Sequence, residues 1–582
     1  ARTQTLRTLE DLGQAKFLHR SPQGKANTAS AYVDGELNYW ELPSKYDVLA
    51  FKDLNAPKAA WLQNLGAFSN VLRTTVTSMP PFALKQLTDD IQRAIVTSGV
   101  KSPGALLYMS LTNFPKLAFA ALRGIKHPVE KELGAMGIAG AYDFVQGKPA
   151  ASLMAELGYK PRGFVKELLH RLNEFTQASD LAVRKAIYDQ TIKESGDQLL
   201  AQTRAREFIN FRRRGASDFV GAMVTTIPFF NAYVQGMDVL YRAASGADSS
   251  SSVGRAEARK LFWNRAAVVT ALSAMYALGK DDDDEDYNEA DLRTRDSNWF
   301  IGGQKISVPG ELGAIFKVIP ERVVEYYKRQ GTPEEQEAFE AMRTGLTFIY
   351  EQYVGRVTPI PQAVKPLLEA FTNHSFLTGR ELEGTHHKQM LPSQRRSAGT
   401  SELAIQLAEF AKNNVGVEVS PIMLDNAMRG YFGSTAALVT ATTDSLLNPS
   451  RVDRPLHKWA LLSNYMIDPV GTRRITEFYE ERERVGKLQT TLNDLAKTDM
   501  AAAEKFVAEH EQALALNPYI NSTLEQLEKT RAYRKYLNSA DGAQEMSKED
   551  RARELEEVRK YEVELTKWLR EAKTEIRKQY PK

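Results

Sequence analysis

The stretch Thr225–Ala243, TTIPFFNAYVQGMDVLYRA, decides how this chain is read. Its first part, to Met237, belongs to a run from Phe219 to Met237 that holds no charged residue. A membrane-crossing helix needs about 20 mostly apolar residues, and the run comes close in length. Its composition argues against that reading. Pro228 removes a backbone donor and bends a helix. Thr225, Thr226, Asn231 and Gln235 would each be costly in lipid. The expectation is a Pro-bent pair of helical segments inside a helical body. Phe229 and Phe230 would be core plugs, and Asn231 and Gln235 would satisfy backbone groups opened by the bend. Two further apolar runs, Ser102–Pro115 and Ala266–Gly279, are shorter and fit buried helices. No constitutive membrane span is expected, and lipid contact after assembly stays open.

Outward from this stretch the pattern is helical nearly throughout. Val165, Leu168, Leu169 and Leu172 recur at helical spacing, as do Leu403, Leu407 and Phe410. Thr332-Pro333-Glu334 reads as a helix start, and Ser547-Lys-Glu-Asp550 as a capping box before the last helix. Alternating segments are few. Gly302-Gly303 followed by Gln304–Val308 points to a small β-hairpin near 299–308. The expected fold is therefore all-α and extended, with long amphipathic helices at the C-terminal side.

At 582 residues the chain exceeds one hydrophobic core. Four regions are expected: 1–150, short helices broken by Pro and Gly; 151–280, longer helices with the opening stretch; 281–445, helices with polar interruptions; and 446–582, a charge-rich tail. The last helix places Leu555, Val558, Leu565, Leu569 and Ile576 on one seam that Glu562 interrupts. That seam pairs within the chain or with a neighbouring subunit. A start at Ala1 fits a Met-trimmed chain, a proteolytically matured one or a segment of a longer polypeptide, and the segment is the expected reading.

The search for chemistry yields little. Without cysteine there are no disulfides, thiolate metal sites or cysteine nucleophiles. None of the eight histidines forms a zinc-binding helix motif, and His386-His387 reads as a solvated loop. The acidic run Asp281–Asp286 lacks the spacing of a calcium loop. No phosphate-binding glycine loop or nucleophile elbow is present, and Glu311 has no carboxylate partner that sequence can place. Neither an enzyme nor a cofactor or metal is expected. Net charge is only +3, but basic residues cluster locally. Arg204, Arg206, Arg212, Arg213 and Arg214 precede the opening stretch, Arg242 lies at its end, and Arg255, Arg259, Lys260 and Arg265 follow it. With Phe208, Phe211 and Phe219 interleaved, they suit phosphate and base contacts or, equally, helix packing. Arg212, Arg213, Arg214 and Arg242 are the residues expected to touch nucleic acid.

The string Ile227, Pro228, Phe229, Phe230, Asn231, Ala232, Tyr233, Val234, Gln235, Gly236, with Asp238, Leu240 and Arg242 after it, resembles a signature of very large tailed-phage proteins. These are polyvalent proteins, internal virion proteins and ejection proteins. Other segments agree in order: Leu72-Arg73, Pro80-Pro-Phe82 with Asp89-Asp90, and Glu207–Gly215. Asn298–Ile301, Pro309–Gly313 and Ile319–Arg322 resemble the large polyvalent protein-associated domain that ends such chains. Pro359-Ile-Pro361, Lys365-Pro366, Asn373–Phe376, Thr378–Arg380 and Arg429-Gly-Tyr431 continue the pattern. The resemblance spans roughly residues 70 to 445; the charged tail and the first residues lie outside it. It implies a structural protein packaged in the virion interior and passed with the genome into the host envelope and periplasm. It implies a homo-oligomer with other ejection, portal or tail proteins, around phage DNA. It carries no catalytic set. Two alternatives stay open: a docking or accessory segment of a larger injected enzyme, such as a virion RNA polymerase or peptidoglycan hydrolase, and a DNA-binding scaffold.

Overall fold

A computed structural model describes residues 2–18, 27–33, 36–43, 60–136, 138, 164–210, 218–247, 252–280, 285–288, 290–331, 335–350, 360–376, 381–397, 399–447, 452, 457, 462, 465–468, 470 and 473–579. Among these residues helices dominate, with two small antiparallel sheets, so the fold is all-α in the main.

The N-terminal unit departs from the expected run of short helices. Helix α1 (Arg2–Asp11) covers a three-stranded sheet of β1 (Lys16–Leu18), β2 (Thr28–Val33) and β3 (Glu36–Glu41), with β3 in the centre. Phe17 pairs with Trp40 in the β1–β3 register, and Ala29 with Trp40 in the β2–β3 register. Trp40 fills the small core with Leu6, Ala29 and Leu42, and its indole N–H donates to Glu10 Oε2 at 2.9 Å. The burial of one aromatic holds three short strands together.

The main body begins with α2 (Ala60–Thr77), α3 (Pro80–Thr97), α4 (Pro103–Leu122) and α5 (Pro128–Ala135). Each of the last three has Pro in its first turn, where the missing N–H costs nothing. The 32-residue α6 (Phe164–Ser195) packs along α3 and α4, and α7 (Gln198–Glu207) folds back on it. Leu87, Ile91, Leu106, Phe114, Leu181, Ile187 and Phe208 form this core. It draws on helices from both sides of residue 150, so that sequence boundary does not divide the packing. Fully buried Arg184 sits inside it. The guanidinium donates to the carbonyls of Ala205 and Ile209 at the end of α7, each at 2.7 Å, and to Asp180 at 2.8 Å. A fixed cation there satisfies carbonyls that a helix end leaves open.

Helices α8 (Asp218–Thr226), α9 (Phe230–Ser245) and α10 (Ser252–Leu278) follow, then the short α11 (Glu285–Asn288) and α12 (Leu292–Ser297). The hairpin lies where sequence placed it: β4 (Asn298–Ile301) pairs with β5 (Gln304–Ser307). Gly302 and Gly303 have φ of 58° and 71°, the two left-handed positions of a tight hairpin turn. After α13 (Gly310–Gly313), a π-helical turn at Ala314–Val318 leads into α14 (Ile319–Arg329) and α15 (Glu335–Tyr350). Val96, Phe262, Ala266, Leu312 and Phe316 form a second core across residue 280. Helices α16 (Lys365–Thr372), α17 (Thr385–Lys388), α18 (Glu402–Phe410) and α19 (Pro421–Leu447) close the body.

The tail holds α20 (Arg473–Thr498), α21 (Met500–Leu514), α22 (Asn517–Leu537), α23 (Ala540–Glu545) and α24 (Lys548–Gln579). Ser547 caps α24 by accepting from the Asp550 N–H at 3.1 Å. The seam of α24 is used inside the chain. Leu569 and Ile576 share a core with Phe478, Val485, Leu516, Ile520 and Leu527, and Leu565 packs against it. Val558 is buried and Leu555 half-buried. Glu562 accepts from Thr530 Oγ1 at 2.9 Å and from Arg534 at 3.1 Å. That buried pairing specifies how α22 and α24 align.

Candidate functional site

The opening stretch is an elbow. Helix α8 stops at Thr226 and α9 starts at Phe230. Between them Pro228 interrupts the hydrogen-bond ladder, and Phe229 takes φ 61° and ψ 1°, a left-handed conformation uncommon for a non-glycine residue. Ile227, Asn231, Gln235 and Gly236 are buried. Phe229 and Phe230 are not core plugs, because the left-handed turn leaves Phe229, Phe230 and Pro228 only half-buried.

Motifs hundreds of residues apart meet at this elbow. The Thr226 carbonyl accepts from the Gln362 N–H at 3.2 Å, just after Pro361. The Gln362 side chain donates to the Gly430 carbonyl at 2.6 Å, and the Tyr431 hydroxyl to the Ala363 carbonyl at 2.9 Å. On its other flank the elbow helix meets α13. A Cβ added to Gly236 would lie 3.2 Å from Glu311 Oε1, so the glycine permits that approach.

Glu311 belongs to a polar seam between α3 and the hairpin. Arg93 donates through Nε to Glu311 and through Nη1 to Asp90, each at 2.5 Å. Gln92 Nε2 donates to the Ser307 carbonyl at 2.6 Å, and the Ser307 hydroxyl to Asp89 at 2.5 Å. Asp90 is 2% exposed, and its Oδ2 has no hydrogen-bond partner among the described residues. Burial pushes its carboxyl up to about 7; Arg93 opposes that rise, and Asp180 and Asp89 add to it.

A second buried network lies in α12 and α14. Lys317, on the π-helical turn, donates to Glu321 at 2.8 Å and to the Arg295 carbonyl at 2.7 Å. Burial lowers the Lys317 ammonium and raises the Glu321 carboxyl, while each holds the other charged. Arg322 bonds to Asp296 and, at 2.6 Å, to Glu325, which also takes Arg295 and the Tyr287 hydroxyl. The Arg295 guanidinium stacks 3.9 Å from the Tyr287 ring centre. Sequence reading missed both networks. The available signal was the Lys317–Glu321 spacing inside an otherwise apolar stretch, which marks a helical ion pair but not its burial.

The basic residues separate. Arg212, Arg213 and Arg214 lie outside the described residues, as do Thr332–Glu334 and Asp281–Asp284. Arg242 is not placed to touch nucleic acid: it is 7% exposed, paired with Asp238 at 2.8 Å and bonded to the Glu207 carbonyl at 2.9 Å. Its position one turn beyond Asp238 on α9 turns it inward. Arg265 likewise points inward, onto the Ile95 and Val100 carbonyls. Arg255, Arg259 and Lys260 are exposed. His386 and His387 fall on the short α17 rather than in an open loop. Among the described residues no three His, Asp or Glu side chains converge as a metal site. The arrangement is a set of clamps, in which buried Arg184, Arg242, Lys317 and Arg322 are each ion-paired, and the first three also bond backbone carbonyls of another element.

Residues 284–462 match the family model described as Large polyvalent protein associated domain 38. The chain thus carries this phage-related domain on its C-terminal side, and the match supports a phage-associated protein. No curated protein and no solved structure matches the chain.

Proposed function

We propose that the chain is a structural component of phage genome delivery. It is packaged in the virion interior, leaves with the DNA, and assembles with copies of itself and with other ejection, portal or tail proteins in the host envelope and periplasm. The observation that carries this reading is the match of residues 284–462 to the polyvalent protein-associated domain, together with the docking of the 227–236 motif onto that domain through Gly236–Glu311 and Thr226–Gln362. The motif and the domain form one body, as a unit retained for assembly would require.

The chemistry is consistent with a scaffold that acts without catalysis or cofactor. The buried carboxylates of Glu321 and Glu562 and the half-buried ones of Glu311 and Glu325 are each engaged by a cation. A catalytic acid or base would instead face a substrate cleft. Near-neutral net charge suits a body past which DNA must slide. Quantitative mass spectrometry of full and emptied particles tests the proposal. The chain is expected in full virions and depleted after ejection. Absence from full virions, or retention in emptied ones, contradicts it. Nucleotide incorporation or cell-wall clearing by the purified chain would instead favour a segment of an injected enzyme.

A further inference from the structure

Residues 465–468 lie along the edge of β5 that faces away from β4, and we propose that they form a strap whose pin, Asp468, fixes how the tail sits on the body. The body end of the strap is a strand addition. The Lys305 N–H donates to the Tyr465 carbonyl at 2.8 Å, and Met466 pairs antiparallel with Gln304. The edge of a two-stranded hairpin offers such backbone groups to an extended segment. The Tyr465 hydroxyl donates to the Pro81 carbonyl at 2.6 Å, in the first turn of α3. Strap, hairpin and α3 are thereby joined.

The tail end of the strap is a charge contact. Arg559 of α24 donates through Nη2 to Asp468 Oδ2 at 2.8 Å and to the Val470 carbonyl at 3.2 Å. Asp468 Oδ1 accepts from the Val470 N–H at 3.1 Å, a local turn that brings carboxylate and carbonyl to the same guanidinium. His457 Nε2 lies 3.3 Å from Asp468 Oδ1, and Lys305 of β5 interacts electrostatically with the same carboxylate. Burial alone would raise the Asp468 carboxyl. The hydrogen bond and charge of Arg559, the Val470 N–H and His457 outweigh it and hold the group below its ordinary value. Tail, strap and hairpin thus meet at one ionised carboxylate. The tail also keeps its own core: every residue of the cluster from Phe478 to Ile576 lies within 473–579. Turning the tail against the body exposes none of that core, and parts with separate cores move relative to each other unless a large apolar interface holds them. The pin is an ion pair with Arg559 15% and Asp468 29% exposed, weaker than a dry one. Its loss frees the orientation of the tail and leaves both folds intact.

The chain has no cysteine, so introduced pairs carry spin labels at chosen points. Leu199, Lys529 and Lys505 are 73%, 73% and 80% exposed. Leu199→Cys with Lys529→Cys reports body against tail, and Lys505→Cys with Lys529→Cys reports within the tail. Double electron–electron resonance on the full chain is expected to give one narrow body–tail distance. Asp468→Ala, outside the tail, and Arg559→Ala, within it, are each expected to abolish that narrow peak and leave a broad distribution, while the distance within the tail stays narrow. A body–tail distance that stays narrow in either variant overturns the proposal, because other contacts then hold the tail. A broad body–tail distance in the parent chain also overturns it. So does a distance within the tail that broadens with Asp468→Ala, because the carboxylate then serves the fold of the tail and not its placement. The measurement uses the purified chain alone, so it can fail independently of the genome-delivery reading.

Discussion

Asp90 places a carboxyl group where burial outweighs its cation. With the folded value near 7 and the unfolded value about 4, the fold takes up a proton there as it forms. An acid raised in this way contributes stability that is fully present below pH about 4 and declines as pH rises to about 7. Asp90→Asn keeps the neutral form at every pH. Relative to this variant, the parent chain is expected to lose stability on the order of a few kcal/mol between those limits. Urea denaturation of both across the range checks it, and parallel curves would show that folding does not raise the Asp90 carboxyl. At Lys317 the sign is different, because the ammonium holds Glu321 and the Arg295 carbonyl in a dry site. Lys317→Met leaves a buried carboxylate unpaired and should cost about 3–5 kcal/mol, most of it recovered in Lys317→Met/Glu321→Leu. A double-mutant cycle by chemical denaturation measures the coupling. Neither cluster was legible in sequence. Arg93 and Glu311 are 218 positions apart, and no local pattern reports which distant charges share a dry seam.

Local geometry was more legible at the scale of elements. Gly302-Gly303 marked the hairpin because two consecutive left-handed residues favour glycine. Pro228 marked the elbow, and Ser547 the start of α24. The three-stranded sheet escaped notice because β1 is three residues long and its stabilising contact, Phe17 against Trp40 at 5.0 Å between ring centres, is tertiary. The apolar runs at 102–115 and 266–279 underestimated their helices, which extend to Pro103–Leu122 and Ser252–Leu278 through polar residues. Gly433 breaks α19 with φ 54° and ψ −132°. A side chain there would meet Val76 Cγ2 at 2.6 Å on α2. Gly433→Ala is therefore expected to destabilise by about 2 kcal/mol or more. A thermal melt tests this, and an unchanged midpoint would show that the kink is not required.

Across the whole molecule, the cores cut through boundaries that composition suggested at 150 and 280, whereas the tail has a core of its own. Periodicity identifies the apolar face of a helix but not the helix that covers it, so the α24 seam stayed ambiguous until α20 and α22 were seen against it. Leu569→Ala should cost about 2–5 kcal/mol and leave the sedimentation behaviour unchanged. A shift in association state would mean that the seam also serves between subunits. The order of the motifs was legible, but their convergence was not. Pro361, Gly430 and the elbow meet only through the fold. Single-particle imaging of the chain, purified and in ejected material, tests the genome-delivery reading most directly. A closed ring with a lumen wide enough for DNA is the predicted result. A monodisperse monomer with no place in the particle would contradict it.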